Sequence, residues 1–152
     1  MKKASILLKI SGVLMMIGSI VHFLFGLTFL HFFSTSLTMG AVSGDKLPLL
    51  MAVLFMSAFS SLVILISGII AIINSTEPLK GAQTAGWAAA ALFFGTLSGV
   101  LVMLLGYESS IFFNITGVDL PLVHVVISMV FYVMARKGYR LYGKRRTGGS
   151  RP

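Results

Sequence analysis

Hydrophobic positions along the chain fall into four long runs, separated by short stretches that hold the charged residues. The runs cover residues 10–33, 47–73, 83–106 and 120–135, and none of them contains an acidic or basic side chain. The apolar positions are continuous and do not alternate with polar ones, which favours helices over a β-barrel. A helix needs about 20 apolar residues to cross a bilayer core of about 30 Å. The pattern therefore predicts an all-α integral membrane protein, a bundle of four transmembrane helices.

The boundaries of the runs suggest a single domain. We expect residues 1–146 to form one transmembrane domain and residues 147–152 to be a disordered tail. The lysines after Met1 resemble the start of a signal peptide, but the first run is longer than the roughly 7–15 residues of a signal-peptide core. We therefore expect an uncleaved first span. Pro121 opens the fourth and shortest run, where proline is tolerated in a first helical turn.

The composition narrows the class of protein. The chain is 57% hydrophobic and 11% charged, whereas soluble domains are about 25% charged. This excludes a soluble enzyme, a disordered chain and a soluble nucleic-acid binder. The absence of cysteine excludes disulfides and thiolate-bound metals. The sequence contains no Ser-His-Asp arrangement, P-loop or dinucleotide motif, so we expect a protein that is not an enzyme and holds no cofactor.

Basic residues predict the orientation. Of 12 lysines and arginines, Lys46 alone lies in the loop between the first two runs, and the others lie on the opposite side. The positive-inside rule then places both termini in the cytoplasm, and we expect the cell membrane as the location. A polybasic C-terminal stretch should bind anionic inner-leaflet lipids, at about 1 kcal/mol or less per basic residue, and not nucleic acid. Its residues are Arg136, Lys137, Arg140, Lys144, Arg145 and Arg146.

Small residues form stripes in the first three runs. In membranes, such residues let helix backbones approach each other. The predicted packing positions are Gly12, Ser19, Gly26, Ser61, Gly68, Ala91, Gly95 and Gly99. Two interpretations remain open for the Gly95–Gly99 pair: packing within one chain, or association between chains.

Three histidines are the residues of the runs that titrate near neutral pH. His22 lies about 18 Å along the first helix, at 1.5 Å per residue, and so near the membrane midplane. A polar residue there marks a candidate intramembrane site. The alternative is a neutral His22 that bonds Ser57, Ser60 or Thr96 on a neighbouring helix.

His31 and His124 suggest a different site. The pattern places both near the outer surface, His124 in the first turn of the fourth span. Two histidines and nearby loop carboxylates suit zinc or another divalent metal, and two histidines on facing helices suit a haem. No fixed ligand spacing supports either group.

One stretch resembles a known family. Residues 11–26, SGVLMMIGSIVHFLFG, resemble the first span of the membrane-spanning four-domain family, which includes the IgE-receptor β chain. Ile66-Ser67-Gly68 and Leu97-Ser98-Gly99 resemble its second and third spans, although this chain lacks the cysteines of the family. The resemblance implies a tetraspan accessory or scaffold protein that dimerises and binds other membrane proteins, with His22 as a packing residue.

These observations lead to one functional expectation and two alternatives. We expect a non-enzymatic membrane protein that acts through helix–helix contacts, as an accessory or scaffold subunit or as a homo-oligomer. The first alternative is a small transporter or channel with a path near His22. The second is an outer-side metal- or haem-binding membrane component that uses His31 and His124.

Overall fold

The protein is all-helical over the part of the chain that the structure describes. The computed structural model describes residues 2–40, 44–77, 80–105 and 114–147, with side chains except at 2–4, 37, 135 and 138–147. The helices are α1 (Lys2–Thr38), α2 (Leu47–Asn74), α3 (Gly81–Leu104) and α4 (Leu120–Thr147). A 3-10 turn, Gly44–Lys46, precedes α2, and a π-helical turn, Ile115–Asp119, precedes α4. The predicted all-α class is confirmed, while residues 148–152 of the predicted tail lie outside the described part.

Within the described residues, four segments are long and apolar enough to cross a membrane. They are Ser5–Ser36, Gly44–Asn74, Gly81–Leu104 and Ile115–Met134. The first extends the predicted run at both ends. The fourth begins five residues before the predicted start at residue 120, because Thr116 and Gly117 are buried inside the bundle. The polar residues that ended the apolar run in the sequence therefore belong to the span.

The π-helical turn (Ile115–Asp119) explains how Pro121 is accommodated inside this longer helical segment. Proline has no backbone N–H, so it cannot continue the α-helical hydrogen-bond ladder. Immediately before it, the N–H of Leu120 bonds the carbonyl of Ile115, five residues back. This wider turn is the hydrogen-bond pattern of a π-helix, and it carries the segment past the proline without ending it. Pro121 is therefore inside the fourth span and not at its start.

The helices form a closed ring in chain order. α1 packs on α2 and α4, and α3 packs on the same two helices. The α1–α2 contact is close where two glycines meet: a Cβ on Gly12 would lie 2.8 Å from the carbonyl oxygen of Gly68, and one on Gly68 would lie 2.6 Å from that of Gly12. Two turns further along α1, Ser19 Oγ donates a 2.7 Å hydrogen bond to the carbonyl of Ser61 on α2.

The α3–α4 contact also depends on glycine. A Cβ on Gly95 would overlap the backbone of Gly117 in the π-helical turn. Gly26 faces Ser57 in the same way, with Oγ 2.7 Å from an added Cβ. All eight predicted packing positions are buried or half-buried. The close contacts described above join residues of the same chain.

Three apolar layers of described residues fill the interior between the two ends. We call the end that carries Lys80, Arg136 and Lys137 the basic end. The basic-end layer holds Leu8, Ala71 and Phe131; the middle layer holds Met15, Val63, Ile64 and Ala91; the distal layer holds Phe33, Leu50, Val53, Val102 and Leu105. The spaces between these layers are occupied by polar residues.

Candidate functional site: two buried histidine layers

His22 lies between the middle and distal apolar layers. It is fully buried, and its Nδ1 lies 3.1 Å from Oγ1 of Thr116 in the π-helical turn. The expected partners were Ser57, Ser60 or Thr96. Thr96 is exposed and donates to the carbonyl of Leu92 on its own helix, so it is not the partner. The hydrogen bond joins α1 to the start of the fourth span.

Backbone contact surrounds the His22 ring. A Cβ on Gly117 would lie 2.9 Å from Cε1 of His22, and the other side of Gly117 faces Gly95 on α3. The π-helical turn, α1 and α3 thus meet at Gly117, where a residue with a side chain does not fit. π-helical turns are frequent at functional sites, and here the turn aims Thr116 and Gly117 at the histidine.

His124 lies on the other side of the middle apolar layer. It is fully buried, and its Nδ1 lies 2.9 Å from Oγ of Ser11 on α1. The backbone of Ser67 on α2 lies beside the ring, and Ser128 follows one helical turn later on α4. We call Ser11, Ser67, His124 and Ser128 the His124 layer.

His124 is not near the outer surface, where the sequence pattern placed it. Because the fourth span begins at Ile115, His124 lies at the middle of Ile115–Met134. Its partner Ser11 precedes His22 by about 16 Å along α1, and the middle apolar layer separates the two histidines. Each histidine therefore has its own polar surroundings.

The structure does not bring His31 and His124 together. His31 is exposed towards the far end of α1, about 30 Å along that helix from Ser11, the partner of His124. Among residues 2–40, 44–77, 80–105 and 114–147, no three histidine, aspartate or glutamate side chains form a group that could hold a metal. A site shared by His31 and His124, for metal or haem, does not fit this arrangement.

The basic end presents cations beside the last apolar turns of α4. Arg136 and Lys137 are exposed, and with Tyr132 and Val133 they line an open groove. The helix continues to Thr147, but the side chains of Arg140, Lys144, Arg145 and Arg146 lie outside the described residues. Lys80 pairs with Glu77 at 2.8 Å on the same end.

Sequence reasoning missed the partners of both histidines. Thr116 lies before the predicted fourth run, and Ser11, Ser67 and Ser128 were not among the expected partners of a histidine. One signal was available: Ser128 lies four residues after His124, which places both on one helix face. The pairings between helices depend on register, which a single chain's hydrophobic pattern does not specify.

The class of this protein is defined by its fold and by the two buried histidines. No family model, curated protein or solved structure matches the chain. The class that the fold defines is a helical protein whose described residues include four helices long and apolar enough to cross a membrane.

Proposed function

We propose that this is a multi-pass membrane protein of the cell membrane that acts through helix–helix contacts, as an accessory subunit or an oligomer, and not as an enzyme. The observation that carries the proposal is an outward-facing surface on the basic-end half of α3. Ala82, Gly86 and Ala89 are all exposed there. A Cβ on Gly86 would meet no heavy atom within 4 Å. We call these three residues the small face.

The small face differs from the outward surfaces of the other helices. Exposed positions on α1, α2 and α4 carry large apolar side chains such as Ile17, Phe55 and Val126, which suit contact with lipid. Between helices in lipid, association depends on small residues that allow close backbone approach. The glycines at the close contacts of the interior face neighbours in the same chain, whereas Gly86 leaves a surface for a helix from another protein or another copy.

Site-directed photo-crosslinking tests this proposal in native membranes. A benzoyl-phenylalanine replaces Phe93, which is 63% exposed and lies one helical turn beyond Ala89. The control is the same replacement of Phe23, which is 45% exposed on α1. We expect a discrete adduct from position 93, with the mass of two copies or of one defined partner, and none from position 23. The same adducts from both positions, or none from either, would count against the small face.

The basic end supports a second element of the proposal, a contact with anionic lipid. Arg136 and Lys137 are exposed beside Tyr132, and aromatic and basic residues together suit a membrane surface. With both termini in the cytoplasm, these residues meet the anionic inner leaflet. Charge-neutral variants at both positions should lower binding of the detergent-solubilised protein to anionic vesicles, with little effect on neutral ones.

A second candidate function, a small transporter or channel, is favoured by the buried polar layers. Buried histidines that face a bundle interior are typical of proton or substrate paths. The middle apolar layer separates His22 from His124, so such a path would require movement of Met15 or Ile64. Flux in liposomes that is lost in His22→Ala but kept in His31→Ala would favour transport over the accessory role.

A further inference from the structure

Ser11 contacts one ring nitrogen of His124, Nδ1, and leaves the other, Nε2, to bind something else. Ser11 Oγ lies 3.0 Å from the carbonyl oxygen of Leu8 and 2.9 Å from Nδ1 of His124. A serine hydroxyl has one proton and two lone pairs. That proton bonds either the carbonyl of Leu8 or Nδ1 of His124, according to the tautomer of the ring. In either tautomer, Nε2 keeps one hydrogen-bonding position, as an acceptor or as an N–H donor.

Three polar atoms of the His124 layer have no protein partner within the described residues. They are Nε2 of His124, Oγ of Ser67 and Oγ of Ser128, and all three are buried. A helical serine can bond its own helix backbone, as Ser61 does with the carbonyl of Ser57 at 2.8 Å. Ser67 and Ser128 do not do so. Their hydroxyls are therefore available to a ligand.

We propose that the His124 layer is a buried binding site for a single water molecule. The water hydrogen-bonds Nε2 of His124 and the hydroxyl groups of Ser67 and Ser128, since water both donates and accepts. Buried waters in proteins make about three hydrogen bonds to otherwise unsatisfied groups. This arrangement satisfies Nε2, Ser67 and Ser128 together, which the protein atoms do not do alone.

The surroundings of the layer favour water over an ion. The nearest apolar layers hold Leu8 and Phe131 on one side and Met15 and Ile64 on the other. No acidic side chain lies on the adjoining turns of α1, α2 or α4. A charged ligand would be costly here without an opposite charge. A neutral molecule that both donates and accepts matches the three free atoms.

Radiolytic labelling in ¹⁸O-water, read by mass spectrometry, tests the site on the full chain in lipid nanodiscs. Hydroxyl radicals form at bound water and oxidise adjacent side chains. We expect oxygen addition at His124 despite its burial. Met15 is the internal control: it is also fully buried but lies in the middle apolar layer. Methionine is the more oxidisable residue, so labelled His124 beside unlabelled Met15 identifies local water and not general solvent entry.

Ser128→Ala tests the proposed partner set and keeps the His124–Ser11 bond. We expect a several-fold drop in labelling at His124 and unchanged helical content by circular dichroism. Ser36→Ala, at an exposed serine that bonds its own helix, should leave labelling unchanged. His124 without label in the folded wild type would overturn the site. Equal labelling of His124 in Ser128→Ala and wild type would overturn the role of Ser128.

Discussion

At the scale of single residues, glycines and hydroxyls determine how closely the helices of this bundle approach. Gly12 and Gly68 bring α1 and α2 into backbone contact, and Gly95 does the same for α3 and the π-helical turn. In lipid, such contacts replace the hydrophobic driving force that packs soluble helices. Substitutions at these positions therefore test the buried contacts, and substitutions at exposed positions serve as their controls.

Gly95→Ala should destabilise the bundle, whereas Gly86→Ala should not. A Cβ at position 95 overlaps the Gly117 backbone, while one at position 86 meets open space. Overpacking of a tight contact costs about 1–3 kcal/mol, and alanine at an exposed helical glycine is neutral or slightly favourable. Unfolding of both variants in detergent, followed by circular dichroism, measures the difference. Equal stability of the two variants would contradict the assigned contact.

Ser19→Ala should weaken the α1–α2 pairing by a smaller amount. The variant loses the 2.7 Å hydrogen bond to the carbonyl of Ser61, and bonds of this kind between membrane helices average about 0.6 kcal/mol. The same detergent unfolding measurement applies. An exposed serine serves as the control, and Ser36→Ala should be indistinguishable from wild type. A Ser19→Ala protein as stable as that control would show that this bond contributes nothing.

The residues of the candidate site could be predicted only in part. His22 was singled out because it is a histidine near the middle of an apolar run, and the structure shows that it is fully buried. Its partner Thr116 was missed because Asn114, Thr116 and Asp119 together resemble a loop. The polarity of Thr116 is satisfied by another helix, and this cannot be seen along one segment.

At the scale of elements, the hydrophobic runs located all four helices but not the depth of the fourth. The run from residue 120 to 135 has its middle near residue 127, whereas the structural span Ile115–Met134 has its middle beside His124. The difference arises from Pro121. In sequence it resembles a helix start, but the π-helical turn lets the segment begin earlier.

Spin labels at Val123 and Val130 can measure the depth of α4. Both valines face outwards, 54% and 50% exposed. Given Ile115–Met134, Val123 lies about 2 Å and Val130 about 8 Å from the middle of the span, at 1.5 Å per residue. Electron paramagnetic resonance with oxygen and a polar nickel reagent should therefore find position 123 deeper. If position 130 is deeper, the span begins at residue 120 and not at Ile115.

At the scale of the whole molecule, the basic residues give the bundle a direction. Lys80, Arg136 and Lys137 lie at the same end of the structure, and Lys46 lies beyond the start of α2 at the other. The sequence predicts this asymmetry because charge counts in short loops need no packing information. We infer from the positive-inside rule that the basic end is cytoplasmic.

A pair of threonines tests this orientation. Thr38 ends α1 and Thr76 follows α2; both are exposed, and they lie at opposite ends. The chain has no cysteine, so Thr38→Cys and Thr76→Cys each provide a single thiol. A membrane-impermeant maleimide should label position 38 in intact cells and position 76 only after permeabilisation. The reverse pattern would place the termini outside the cell.

The proposed function depends on a helix contact at the small face of α3. One substitution on this face tests that contact most directly. Gly86→Leu fills the open space without touching the fold, and Val13→Leu is the matched outward change on α1. We measure the yield of the crosslinked adduct formed from position 93 in native membranes for each variant. We expect Gly86→Leu to abolish the adduct and Val13→Leu to retain it. An undiminished adduct in a folded Gly86→Leu protein would contradict a function that depends on this helix contact.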